Sequence, residues 1–98
     1  SDLVGSWDFT LDVQGQVIGG EMVLTLSGSS WGGSVAPQGM TPATVRTVTI
    51  RGRQVSIVID TPDGEEATAE GNLSTDGRTL SGSVAFQGQL LGFNARKR

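Results

Sequence analysis

Trp7, Phe9, Leu11 and Val13 occupy every second position near the start of the chain, and Ser6, Asp8, Thr10 and Asp12 fill the gaps. Side chains alternate faces along an extended strand, so Gly5–Val13 has one apolar and one polar face. Such a strand requires a core on one side only, which an antiparallel sheet or a closed barrel provides. The same two-residue rhythm returns along the chain, and no stretch keeps a helical period for three turns.

The other strands follow from the breakers between them. Gln14–Gly20 is read as a hairpin connection or short loop, and Glu21–Ser27 as the second strand, with Met22, Leu24 and Leu26 inward. Trp31–Ala36 is a third strand ended by Pro37, which cannot donate to a ladder. Ala43–Ile50 alternates imperfectly: Val48 and Ile50 share parity with Arg46, while Val45 has the opposite one. Either a bulge shifts the register there or Val45 lies outside. Val55, Ile57 and Ile59 form a clean stripe, and Pro62-Asp63-Gly64 is a turn signature. Ala67, Ala69, Gly71 and Leu73 line a sixth strand, and Asp76-Gly77 is a hairpin turn. Leu80, Gly82, Val84 and Phe86 line a seventh, and Leu91, Phe93 and Ala95 an eighth.

Eight short strands with hairpin-length links predict an all-β chain forming one domain over residues 1–98, a small antiparallel up-and-down barrel. Closure removes the sheet edges that invite aggregation, whereas a Greek-key sandwich needs longer crossings between sheets. Gly33-Ser34-Val35-Ala36-x-Gln38-Gly39 is echoed 49 positions later by Gly82-Ser83-Val84-Ala85-x-Gln87-Gly88. Two four-stranded halves account for that spacing; so does coincidence among the small residues that turns favour.

Composition narrows the function classes. The chain has no His, Cys or Tyr, which removes the Ser-His-Asp triad, thiol chemistry, disulfides and the common zinc ligand sets. No catalytic residue, cofactor or metal site is assigned. The acidic stretch Asp60, Asp63, Glu65 and Glu66 has carboxylates suited to calcium but lacks the full loop spacing, and a solvated hairpin tip explains it without a metal. A net charge of −3 and five aromatic side chains (Trp7, Phe9, Trp31, Phe86 and Phe93) argue against nucleic acid, which demands basic grooves and stacking platforms. No apolar run approaches the roughly 18 residues that cross a bilayer as a helix, so no membrane partner is expected. The start Ser1-Asp2-Leu3 has neither Met nor a signal-peptide pattern, and reads as a piece cut from a longer chain or a matured form.

The aromatics fill the barrel or line a cavity for one small apolar ligand, since eight strands is the size at which both occur. The candidate interior lining is Trp7, Phe9, Met22, Leu24, Trp31, Ile57, Ala69, Phe86 and Phe93.

The Gly5-x-Trp7 opening resembles the first strand of lipocalins and their calycin relatives. That resemblance implies a Trp near the barrel floor packed under a late basic residue, for which Arg96, Lys97 and Arg98 are the candidates. A wider resemblance runs through Met22-x-Leu24-x-Leu26, Val48-x-Ile50-x-Gly52, Val55-x-Ile57 and Glu70-Gly71-x-Leu73-x-x-Asp76-Gly77-x-x-Leu80-x-Gly82 to Phe93-x-Ala95-x-Lys97. It is similar to small β-barrel accessory domains appended to bacterial amidohydrolases, α/β-hydrolases and peptidases, many of them exported. Lys97 stands where that pattern has arginine, and no long polar run leads into a second domain. The resemblance implies a non-catalytic, periplasmic or extracellular module whose partner is a neighbouring domain of a parent protein. The alternative is a lipocalin-like carrier of an apolar small molecule. Oligomeric state is not legible.

Overall fold

A computed structural model describes residues 2–98. Eight strands follow one another: β1 (Gly5–Val13), β2 (Gln16–Ser27), β3 (Ser30–Pro37), β4 (Ala43–Arg51), β5 (Gln54–Asp60), β6 (Glu66–Leu73), β7 (Thr79–Phe86) and β8 (Gln89–Lys97). Each pairs antiparallel with the next, and β8 returns to β1 to close an all-β, up-and-down barrel. The closing ladder runs from Trp7 opposite Lys97 to Asp12 opposite Gly92. A stack of two separate sheets is thereby excluded.

One boundary differs from the sequence reading, and on β4 the structure decides between the two alternatives left open. β2 begins at Gln16, so Gln16–Gly20, read as connection, is strand paired with Phe9–Val13. Its two adjacent glycines look like breakers, yet Gly20 lies directly beneath the Phe9 ring, where a Cβ would sit 2.4 Å from Cζ. The loop shrinks to Gln14-Gly15, a two-residue turn with φ of 54° and 84°, the left-handed pair that matches strand twist. On β4 the register slips between Val45 and Thr47. Arg46 is the extra residue of a bulge, which brings both Val45 and Val48 into the core.

The echoed segments are β3 and β7, four strands apart on the ring. At Gly33 a Cβ would lie 1.9 Å from the Val23 carbonyl oxygen, and at Gly82 it would lie 2.0 Å from that of Glu70. Both glycines let a strand press against its neighbour's backbone, the device that bends a sheet sharply enough to close. Gly33 also has a φ of 133°, a conformation side chains resist. The recurring glycine therefore has a geometric cause at two corners of one barrel.

Candidate functional site

The two ends of the barrel are built differently. At one end, which we call the base, the chain enters β1 through Asp2-Leu3-Val4, and Leu3 turns under the barrel with 1% of its surface exposed. Trp7 is fully buried above it, and its Nε1 donates to the Leu3 carbonyl oxygen at 3.0 Å. Lys97 Nζ donates to the Asp2 carbonyl oxygen at 2.5 Å and lies 6.0 Å from the Trp7 ring centroid. Of the three basic residues that parity leaves open, Lys97 is the one over the indole. Leu24 and Leu80, at 0% and 1% exposure, complete a dry floor.

The other end is the mouth, ringed by the turns after β1, β3, β5 and β7. Here the inward-facing apolar side chains are only half-buried: Leu11, Ile18, Val35, Ala43, Val84, Phe86 and Leu91. Register pairs several of them across neighbouring strands: Leu11 faces Ile18, Val35 faces Ala43 and Val84 faces Leu91. Below lie buried Phe9, Met22, Val45, Ile59, Ala67 and Phe93.

The nine lining candidates are all on the inner wall, but they do not form one surface. Trp7, Phe9, Met22, Leu24, Ile57, Ala69 and Phe93 belong to the buried core. Trp31 is half-buried toward the base, and Phe86 half-buried at the mouth. Of the nine, Phe86 alone reaches the accessible layer there. The other mouth residues are legible as inward by parity, but parity gives no height along the barrel; proximity to the Gln14-Gly15 and Gln87-Gly88 turns is the signal the sequence offers.

The outer wall carries two shallow clefts over glycines. One, of about 390 Å³, is bordered by Thr10, Asp12, Val17, Ser81 and Asn94 over Gly82 and Gly92. The other, of about 600 Å³, is bordered by Thr49, Gln54, Ser56, Glu70 and Asn72 over Gly71 and Gly82.

No polar or charged residue is buried among the described residues. Arg46, aimed outward by the bulge, bonds the Asp60 carboxylate through both Nε and Nη2 and reaches Glu66 at 3.0 Å. Arg98 bridges Asp8 at 2.6 Å and Glu21 at 2.9 Å, tying the chain end across β1 and β2. Hydrogen bonding to these guanidinium groups holds the Asp8 and Asp60 carboxyls below the usual range, and the Ser74 hydroxyl does the same for Asp76. Each of these shifts stabilises an anion already formed at neutral pH; none prepares a carboxylic acid to give up a proton there. The acidic stretch that suggests calcium is dispersed among partners: Asp60 and Glu66 hold Arg46, and Glu65 accepts from the Gln87 carboxamide at 3.1 and 3.2 Å. No group of three or more potential metal ligands exists among the described residues.

No family model matches this chain, and no curated protein is similar to it at a significant level. A solved structure, a "De novo design of a fluorescence-activating beta barrel", is similar over 97% of this chain and 93% of its own, with a TM-score of 0.63 and 13% identity. At that identity the likeness is one of fold. The chain is an eight-stranded antiparallel β-barrel that matches a designed barrel over nearly its whole length.

Proposed function

We propose that this barrel is a non-catalytic binding module that takes a small apolar molecule at its mouth. The observation that carries the reading is the asymmetry of burial along the inner wall. The base is plugged on its axis by Leu3 beneath Trp7 and Leu80, although Leu26, Trp31 and Ile50 at the adjoining strand ends stay partly exposed. Leu11, Ile18, Val84, Phe86 and Leu91 are part-exposed at the opposite end, where no such segment folds beneath them. Inward apolar surface left accessible at an unplugged end is what a lipocalin-like site requires, and mouths of β-barrels are favoured ligand sites. The outward positions of β1 carry Ser6, Asp8, Thr10 and Asp12 instead of the apolar band of a membrane barrel. The comparison barrel is described as fluorescence-activating, which supports a fold able to hold a small molecule. The absence of His, Cys and Tyr supports a role without catalysis.

The resemblance to accessory domains of bacterial hydrolases supports a finer reading in which the module serves a larger protein. Exposed Val17, Met40 and Leu90 near the mouth are the apolar surface that a neighbouring domain would cover.

A naphthalene-type dye that brightens in apolar surroundings tests the binding reading. Titration brightens it, the backbone amide resonances of Val84, Phe86 and Leu91 move, and those of Leu24 and Leu80 at the base stay. Val84→Arg abolishes the response while leaving the melting transition cooperative. Brightening that survives Val84→Arg, or resonance shifts confined to the outer wall, would sink the reading.

A further inference from the structure

The basic residues of this chain gather at one end of the barrel, whereas its carboxylates lie at both. Arg51, Arg53, Arg78, Arg96, Lys97 and Arg98, six of its seven basic residues, lie at the base, at the ends of β4 and β8 or in the turns leading into β5 and β7. Asp12, Asp60, Asp63, Glu65 and Glu66 lie around the mouth. The one cation near them is Arg46, and it is engaged by Asp60 and Glu66. Asp12 and Glu65 accept only neutral donors: the Gly15 amide at 2.8 Å and the Gln87 carboxamide. Gln14, Gln16, Gln38 and Gln89, also at the rim, are uncharged.

We infer that the mouth selects a hydrophobic cation, an apolar body carrying an ammonium or similar group, and disfavours fatty-acid-like anions. This rests on the reading of the mouth as the binding site; the carboxylates decide which occupant it accepts. A molecule whose apolar part sits on Leu11, Val84 and Phe86 places its polar end at the rim. There the field comes from Asp12, Asp63 and Glu65, with no free cation beside them among the described residues. Strands of eight or nine residues, tilted as in barrels, separate mouth from base by roughly 20 Å. That exceeds the Debye length of about 8 Å, so the basic residues of the base do not offset the rim. Complementary charge of this kind governs which partner is accepted more than how tightly an apolar surface binds.

Three probes with the same ten-carbon chain separate the possibilities: decyltrimethylammonium, decanol and decanoate, each below its aggregation concentration. Affinity is read from the Phe86 and Leu91 amide resonances at about 0.15 M salt, the lower of the two conditions, and at about 1 M salt. The cation binds about tenfold more tightly than the anion at low salt, with the alcohol between, and the ratio falls toward one at high salt. The double variant Asp63→Asn/Glu65→Gln lowers the cation's advantage but leaves decanol unchanged. Decanol binding accompanied by equal or tighter decanoate binding overturns this inference and leaves the mouth as a site. No shift at Phe86 or Leu91 with any of the three overturns the binding reading itself.

Discussion

The indole nitrogen of Trp7 donates a 3.0 Å hydrogen bond to the carbonyl oxygen of Leu3, four residues earlier in the chain. That bond folds the entry segment beneath the barrel, so the same residue that fills the floor also draws in its plug. Lys97 closes the arrangement from the far end of the chain by bonding Asp2. First and last strands are therefore joined by their ladder and also by a cap made of both chain ends.

Replacing Trp7 tests how much the plug contributes. Trp7→Phe removes buried ring volume and the bond to Leu3, and costs about 2 kcal/mol or more. For a domain of this size that lowers Tm by roughly 8–16 °C. Trp31→Phe, at a half-buried position, costs less than about 1 kcal/mol. Thermal melts of the two variants check the order, and equal losses would remove the floor from its central place.

The corner glycines are not interchangeable with other glycines. Gly82→Ala drives a methyl into the Glu70 carbonyl and is predicted to cost about 3 kcal/mol. Gly92, with nothing within 4 Å of a built Cβ and no positive φ, accepts alanine within about 0.5 kcal/mol. Denaturant midpoints decide between this view and one in which glycine merely suits a strand.

Gln14 and Gln87 hold positive φ, at 54° and 51°, in turns that favour asparagine or glycine at that place. Gln14→Asn is predicted to raise stability by about 0.5 kcal/mol through its easier left-handed backbone. Gln87→Asn gains less, because its carboxamide also bonds Glu65. Chemical denaturation of the single variants measures both.

Acid weakens the Arg98 bridge in a definite direction. Arg98 lowers the Asp8 pKa in the folded state, so the bridge stabilises the fold above the ordinary carboxylate range. That contribution fades as pH falls below about 4, through the folded-state value. In Arg98→Gln the Asp8 carboxyl titrates upward, back into the ordinary range. Carbon-13 NMR of the side-chain carboxyl follows it, and an unchanged midpoint would show that the bridge is not formed in solution.

Alternation within Gly5–Val13 and Val55–Ile59 determined the inner and outer faces, and the turn dipeptides determined the strand count, because both are set by neighbours within a few residues. The β4 pattern allows two choices at Val45. Deciding between them required Ile57 and Ile59 opposite, a contact the local pattern does not contain. Gln16–Gly20 escapes local reading for the same reason: its glycines resemble breakers until the Phe9 ring is seen lying over Gly20. The lining candidates all point inward, yet only the closed ring distinguishes a dry floor at Trp7 from an accessible layer at Phe86. Which end is plugged, and that the basic residues gather at one rim, depends on where each strand stops along a common axis. Parity repeats every two residues and carries no memory of that height; the hydrogen-bonded register of all eight strands supplies it.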